Sequence, residues 1–375
     1  MSRLEVVLIF LWRQGVKFKF LIFTSYWVLG LLVLGIGEGS DSETYRRLAG
    51  SADISDIRLG YIAFVFFLKA GKWLGVDYQY WILFLNFSTF ALMLLALNRL
   101  QMVMGASHLT IFCLLVLYGI NFDAFIWNFY ILTDAIFAHL LCFFLLYAHI
   151  TYVEKRFVKL TFALTLGAVV LVMTRPVGFF LVLAIFFVLT LLPFIATKLV
   201  NDPLKTLLIF NLCCCALCWI GLLSIQYYCI QDLCRNELWI DIGRGVVVHD
   251  RLTIESNSIL QTQVVRALFF WSPLQLGYSF LHSSVNAVAA VLTCIGLALI
   301  LRGEKESIGL IRKLLLIWGL IASLMTWFHA ATIIDYDLRY RLPILLPFII
   351  FSGIGYENWI RKKINEIRSH HPHSK

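Results

Sequence analysis

The sequence has little charge. Only 14% of its 375 residues are Asp, Glu, Lys or Arg, whereas 61% are hydrophobic. A water-soluble protein of this length needs more polar residues to cover its surface. The composition therefore excludes a soluble globular protein. It favours long apolar helices in lipid, because a helix pairs its own backbone groups where no water is present.

Other signals are also missing. No small-residue cleavage pattern follows the first apolar run, so we expect the first helix to remain as an anchor. No internal repeat or separate soluble domain is evident, and residues 1–375 are predicted to form a single membrane domain. The nine cysteines show no zinc-ribbon spacing. Cys229 and Cys234 could form a disulfide in an oxidising compartment or remain two free thiols.

The apolar runs predict an all-α membrane protein with about ten transmembrane helices, since roughly 20 residues cross a bilayer core. The predicted spans are 20–36, 79–97, 106–121, 131–152, 160–173, 177–197, 206–228, 283–301, 314–330 and 342–356. The run 160–173 is short, which predicts a broken or tilted helix. Residues 59–76 carry Lys69 and Lys72 and are predicted to lie in the outer interface.

Basic residues concentrate on the inner side of this topology and acidic residues on the outer side. The positive-inside rule then places both termini in the cytoplasm. The net charge of +9 is therefore interpreted as a topology signal, and no nucleic-acid partner is predicted.

Three outer segments collect the polar residues. The first outer loop, 37–78, is rich in acids and is predicted to contain interfacial helices. The second, 122–134, carries Asp123 and Asp134 and no basic residue. In the large outer loop, 229–282, the run VVVHDRLTI predicts a strand. Residues 259–271 predict an amphipathic interfacial helix that covers the site or holds a lipid-linked substrate.

Acids from the early loops and arginines from later segments suggest one chemistry. Carboxylates can act as a general base or as metal ligands. Arginines can clamp a phosphate through paired hydrogen bonds. A base and a phosphate clamp at the lipid boundary suit the transfer of a group from a lipid phosphate.

Four segments, in order, carry a resemblance to a known family. They are Gly39–Tyr45 with Leu48–Ala49 and Leu59–Tyr61, then Leu132–Phe137, then Thr174–Gly178, and finally Arg339–Pro343. The sequence resembles the GT-C superfamily of polytopic membrane glycosyltransferases. The similarity is greatest to bacterial members of the mannosyltransferase and aminoarabinose transferase group.

The resemblance implies a GT-C-like bundle that moves a sugar from a polyprenyl-phosphate donor to a hydroxyl of a glycan or lipid-linked acceptor. Asp41 would be the general base on the outer membrane face. The substrate-binding residues implied are Tyr45, Asp134, Arg175, Arg339, Tyr340 and Arg341. A divalent cation, Mg or Mn, held by Asp41 and Asp123 is left open, as is the acceptor class.

Simpler interpretations and rival functions remain at this stage. Asp41 could only cap a loop helix, and Arg339 and Arg341 could anchor to lipid headgroups. His139 is predicted to be packed or hydrogen-bonded within a span. The alternative functions are an O-antigen-type polysaccharide polymerase and a non-enzymatic flippase or transporter of lipid-linked glycans. The motifs favour a bacterial inner membrane over the endoplasmic reticulum.

Overall fold

The computed structural model describes residues 21–39, 42–50, 61–104, 109–175, 177–199, 203–227, 246–249, 252–254, 258–273, 279–302, 305–331 and 341–370. Nearly all of these residues are helical, and the described part of the chain contains one short β-hairpin. The prediction of an all-α architecture is confirmed at this coarse level.

Fourteen α-helices follow one another along the described part of the chain. They are α1 (Leu21–Leu34), α2 (Ser42–Gly50), α3 (Ile62–Trp73), α4 (Tyr78–Met104), α5 (Leu109–Ile120), α6 (Phe122–Ile126), α7 (Asp134–Val153), α8 (Phe157–Thr174), α9 (Val177–Leu199), α10 (Pro203–Tyr227), α11 (Ile259–Trp271), α12 (Phe280–Arg302), α13 (Lys305–Ala330) and α14 (Leu342–His370). A 3₁₀ turn, Trp127–Phe129, follows α6. The strands β1 (Val246–His249) and β2 (Leu252–Ile254) pair antiparallel.

Seven of the described helices are long and apolar enough to cross a membrane, as expected of an integral membrane protein. They are α4, α7, α8, α10, α12, α13 and α14. The other predicted spans fall on α1, α5 and α9, which do not pass the same test alone within their described residues. The count of ten therefore stays a prediction.

The predicted span 106–121 ends in a sharp bend. Helix α5 stops at Ile120, and the chain turns by 92° into Phe122–Phe129. Asn121 stabilises the new direction because its side chain accepts a hydrogen bond from the Ala124 N–H at 3.0 Å. This N-cap satisfies a donor that a continuous helix would have satisfied internally.

Two helices outside the candidate spans lie where interfacial helices were predicted from the sequence, and their position in a membrane stays a prediction. Helix α3 has 12 residues, and at 1.5 Å per residue it extends about 18 Å, too short to cross a bilayer core. Helix α11 has the bounds predicted for the interfacial helix. Its N-cap Ser258 accepts a hydrogen bond from the Gln261 N–H at 3.2 Å.

The chain divides into two compact units, and each is formed from separated stretches of sequence. The first unit comprises Met1–Phe179, Val288–Gly309 and Leu342–Lys375, and the second comprises Phe180–Ala287 and Leu310–Arg341. The core of the first unit includes Phe90, Leu114 and Leu346, which are at most 2% exposed. The single-domain organisation stays a prediction.

Within the first unit, α12 and α14 approach closely at two glycines. A Cβ on Gly355 would overlap the carbonyl oxygen of Gly296, and a Cβ on Gly296 would overlap Ser352. The Tyr356 hydroxyl donates to the Leu292 carbonyl at 2.8 Å along the same contact. Small residues allow such backbone approach between membrane helices, where packing rather than water drives association.

We predict that Gly355→Ala lowers the thermal midpoint of the detergent-solubilised protein. The added methyl group forces the two helices apart, at a cost of about 1–3 kcal/mol. Gly221→Ala on α10 is the matched control, because among the described residues nothing outside its own helix backbone lies within 4 Å of its Cβ position. The control should keep or raise the midpoint through helix propensity. Equal midpoints for the two variants would contradict this packing.

Candidate functional site

The first outer loop is hydrogen-bonded to the second outer loop in the first unit. The Gly37 N–H donates to the Phe129 carbonyl at 2.8 Å, and the Ile131 N–H donates to the Gly37 carbonyl at 2.9 Å. These bonds form a short parallel bridge between Gly37 and Tyr130. A Cβ on Gly37 would come within 2.8 Å of the Tyr130 ring, so glycine permits this approach.

The same contact continues along the chain to Ser42. The buried Ser42 hydroxyl donates to the Ile131 carbonyl and accepts from the Gly39 N–H, each at 2.8 Å. A Cβ on Gly39 would meet the Leu132 side chain at 2.9 Å. Asp41 itself lies outside the described residues. Its described neighbours, Gly39 and Ser42, lie against Ile131 and Leu132.

That segment leads directly to a buried ion pair. Asp134 is the first residue of α7, and Arg175 follows the last residue of α8. Their side chains are 1% and 5% exposed, and Arg175 Nη1 contacts Asp134 Oδ1. Asp134 lies at the positive end of its helix dipole and Arg175 at the negative end of its own, so both placements are favourable. Both residues were predicted from the sequence as substrate-binding residues, but their pairing was not predicted.

Two asparagine side chains also hold the second outer loop through hydrogen bonds to its backbone carbonyls. Asn86 on α4 donates to the Asn128 carbonyl at 2.8 Å, and Asn128 donates to the Phe125 carbonyl at 2.8 Å. Asp123 on α6 is 3% exposed. Within the described part of the chain, the side-chain oxygens of Asn86 and Asn128 have no hydrogen-bond partner. Of this group, the sequence had pointed only to Asp123 as a candidate functional residue.

A buried histidine continues this polar group into α7. His139 Nδ1 lies 3.2 Å from the Thr89 hydroxyl, and its Nε2 lies 3.4 Å from the Tyr118 hydroxyl. Thr89 donates its proton to a backbone carbonyl of α4, so it accepts from Nδ1–H. Tyr118 then donates to Nε2, which is consistent with a neutral imidazole. The prediction that His139 is hydrogen-bonded is confirmed.

Tyr45 belongs to a buried apolar cluster that includes Ile131, Leu132 and Ile136, on either side of Asp134. It is 3% exposed and packs on Tyr61 and Phe64, with ring centroids 5.6 Å and 4.9 Å away. This packing fixes α2 on α3. The Tyr45 ring thus helps to hold α2 in place, and its role in substrate binding stays a prediction.

A cluster that the sequence analysis did not identify holds the same loop on α4. Arg46 pairs with Glu38, donates to the Tyr78 hydroxyl and lies over the Tyr78 ring. The Tyr78 hydroxyl donates to Glu38 at 2.8 Å. That hydrogen bond, followed by the charge of Arg46, lowers the pKa of the Glu38 carboxyl below its ordinary value.

Of the predicted arginines near the end of the chain, the structure describes Arg341, which belongs to the second unit. Its side chain is buried, and Nη1 donates to the carbonyls of Phe270 and Ser272 at 3.4 Å and 2.6 Å. A lipid-headgroup anchor would be more exposed. Arg339, Tyr340, Cys229 and Cys234 lie outside the described residues.

No group of three or more His, Cys, Asp or Glu side chains in the described ranges is arranged to hold a metal ion. Asp134 already contacts Arg175. The described donors therefore do not fit a divalent cation, and a metal at Asp41 and Asp123 stays a prediction.

We predict that Asp134→Leu or Arg175→Leu alone destabilises the protein by about 3–5 kcal/mol, because each removes one charge of a buried ion pair. The double variant should recover most of the lost stability, since it removes both charges. Thermal unfolding in detergent measures all three variants. Single variants as stable as the wild type would show that the pair carries no stability.

A second prediction concerns pH. Because the folded-state pKa of Glu38 is lowered, its contribution to stability is full above the ordinary value of about 4.5 and is lost as pH falls through the lower folded value. The loss of thermal midpoint in Tyr78→Phe should therefore shrink on acidification below about pH 4. Tyr80→Phe, at an exposed position nearby, is the control. A loss independent of pH would contradict the assignment.

Comparison with protein-family models, with curated proteins and with solved structures finds no match to this chain.

Proposed function

We propose that this chain is a membrane glycosyltransferase that takes a sugar from a polyprenyl-phosphate donor. The observation that carries the proposal is the meeting of three separated sequence segments in the first unit. The first outer loop on both sides of Asp41 lies against Ile131 and Leu132. Those residues lead into Asp134, which pairs with Arg175. Three of the four segments that carry the GT-C resemblance thus lie together.

In the proposed reaction, an acceptor hydroxyl attacks the anomeric carbon of the donor sugar. The new carbon–oxygen bond forms as the bond from that carbon to the phosphate oxygen breaks, and its electron pair leaves with the phosphate. Asp41 takes the proton of the hydroxyl as general base. An ordinary aspartate is a weak base near neutral pH, which suits a late proton transfer.

Arginines offset the negative charge that develops on the leaving phosphate. Arg175, which lies in the first unit with the segments on either side of Asp41, takes this role in the proposal. Arg339 and Arg341 stay substrate-binding residues that the resemblance implies. The Asp134–Arg175 pair keeps the ends of α7 and α8 together and orients the acceptor beside Asp41. Tyr45 and Tyr340 remain proposed substrate contacts. No step is derived through a metal.

The proposal includes a GT-C-like bundle of ten spans with both termini in the cytoplasm. The active site then faces outward, and a bacterial inner membrane is the proposed location. The partners are the lipid-phosphate sugar, a glycan or lipid acceptor, and the surrounding lipids. The described apolar helices support membrane residence, and the distribution of basic residues supports the orientation.

The test is sugar transfer by the purified protein in proteoliposomes. Radiolabelled polyprenyl-phosphate sugars are supplied as donors, and a membrane lipid extract is the source of acceptors. Asp41→Asn should reduce labelled product by about 10²- to 10⁴-fold, the usual contribution of a general base. Asp77→Asn changes an exposed acid of the same outer loop and should leave transfer intact.

Three results would overturn the proposal. Transfer that survives in Asp41→Asn removes the general base. Movement of intact lipid-linked glycan across the membrane without sugar transfer identifies a flippase. Joining of lipid-diphosphate repeat units identifies a polymerase.

A further inference from the structure

The turn between α7 and α8 lies at the far end of these helices from the Asp134–Arg175 pair. Helix α7 has 20 residues, begins at Asp134 and ends just before this turn. A helix of that length extends about 30 Å, which is the thickness of a bilayer core. The turn therefore lies about one bilayer thickness from the segments that contact the candidate site, and in the predicted topology it faces the cytoplasm.

Glu154 brings two guanidinium groups together at this turn. Its Oε1 accepts from Arg99 Nη2 on α4 at 2.9 Å, and its Oε2 pairs with Arg156 Nε at 3.1 Å. The side chains of Arg99 and Arg156 are 54% and 51% exposed. A guanidinium group has five N–H donors, so each arginine keeps donors beyond the nitrogen that contacts Glu154. One carboxylate thus positions two arginines whose other donors can meet a ligand.

Two lysines add positive charge around these arginines. Lys155 stands in the turn and Lys159 in the first turn of α8, and both are exposed. In the described ranges, neither lysine forms an ion pair with an acidic side chain. Four basic side chains therefore surround a single carboxylate, and the excess of positive charge attracts an anion.

Lys155 has a backbone conformation that usually belongs to glycine. Its φ is 57°, in the left-handed region. Its N–H donates to the Tyr152 carbonyl at 3.0 Å, and the Arg156 N–H donates to the Thr151 carbonyl at 2.8 Å. This is the hydrogen-bond pattern of a Schellman C-cap, in which glycine is the common residue at this position. Because a side chain there is strained, a lysine favours a function for the charge.

Exposed apolar side chains lie next to the basic ones. Phe157, Val158 and Phe162 in the first turns of α8 are 61%, 85% and 66% exposed. Helix α8 is a candidate membrane span, so acyl chains are the environment that these side chains require. The long side chain of Lys159 can then extend to the headgroups. A free phosphate ion would contact only the basic groups, whereas a phospholipid would contact both kinds of side chain.

We propose that this surface binds an anionic phospholipid. Arg99, Lys155, Arg156 and Lys159 bind the phosphate headgroup, and its acyl chains lie along the first turns of α8. Basic clusters just beyond membrane helices attract anionic lipids in this way. The arginines supply the charge-assisted hydrogen bonds, and the lysines supply further charge. The site goes beyond the proposed sugar transfer and does not depend on it.

The experiment measures binding of phosphatidylglycerol to the full-length protein in detergent by native mass spectrometry, over a series of lipid concentrations. Lys155→Gly and Lys159→Gln should each weaken binding by about fivefold, the usual contribution of one basic residue near a membrane surface. The double variant should lose roughly 25-fold if the two charges act independently.

Lys155→Gly separates lost binding from lost folding. Glycine relieves the strain of the left-handed conformation, so this variant should keep or raise the thermal midpoint while it weakens lipid binding. Lys313→Gln is the matched control. It removes an exposed positive charge near the start of the candidate span in α13, on the same predicted side of the membrane, and should bind the lipid as the wild type does.

Several outcomes would overturn the site. Wild-type affinity in the double variant removes the role of the lysines. Equal weakening in Lys313→Gln shows a general effect of charge. Phosphatidylcholine with the same acyl chains should bind at least about tenfold more weakly, and equal binding excludes recognition of an anion. Inorganic phosphate should not displace the lipid, and displacement shows that the acyl chains contribute nothing.

Discussion

Much of the first unit depends on an ion pair that water does not reach. Asp134 and Arg175 stand at the ends of consecutive membrane helices, where unpaired backbone groups and unpaired charges are both costly. Each charge neutralises the other and lies at the favourable end of its own helix dipole. The pair therefore stabilises the buried N-terminus of α7 and the buried C-terminus of α8. The second outer loop leads directly into this N-terminus of α7.

The first outer loop is held by hydrogen bonds to the segment that precedes Asp134. Because the chain between Tyr130 and Asp134 lies outside any helix, its backbone groups need other partners, and Gly37 and Ser42 provide them. Glycine and serine suit these positions because both allow close backbone approach. In the outer part of the first unit, the buried ion pair thus stabilises the helix ends, and the helix ends position the two hydrogen-bonded loops. A reacting group placed there would be held by rigid elements.

The positions of the helices could be predicted from the sequence better than the contacts between their side chains. Apolar runs located the seven described helices that are long enough to cross a membrane, and α11 has the bounds expected from its amphipathic pattern. The bend after Ile120 was missed because hydropathy does not register an Asn121 cap inside an apolar run. Asp134 was noticed because an acid at a span start needs a reason. Its pairing with Arg175 depends on how two helices return to the same level, which no local pattern encodes.

Helix α11 shows why a pattern can predict an element and still not reveal its role. The alternation of apolar and polar residues along 259–271 is the same whether the apolar side faces a core or faces lipid. Only the burial of Gln263 and Arg266, together with the exposure of Leu268, gives the direction. In water that orientation would be unstable, because it hides the polar side and exposes the apolar side. It becomes favourable when lipid covers the exposed apolar face and the buried face packs on the end of α13, so the surrounding lipid explains the orientation of this helix.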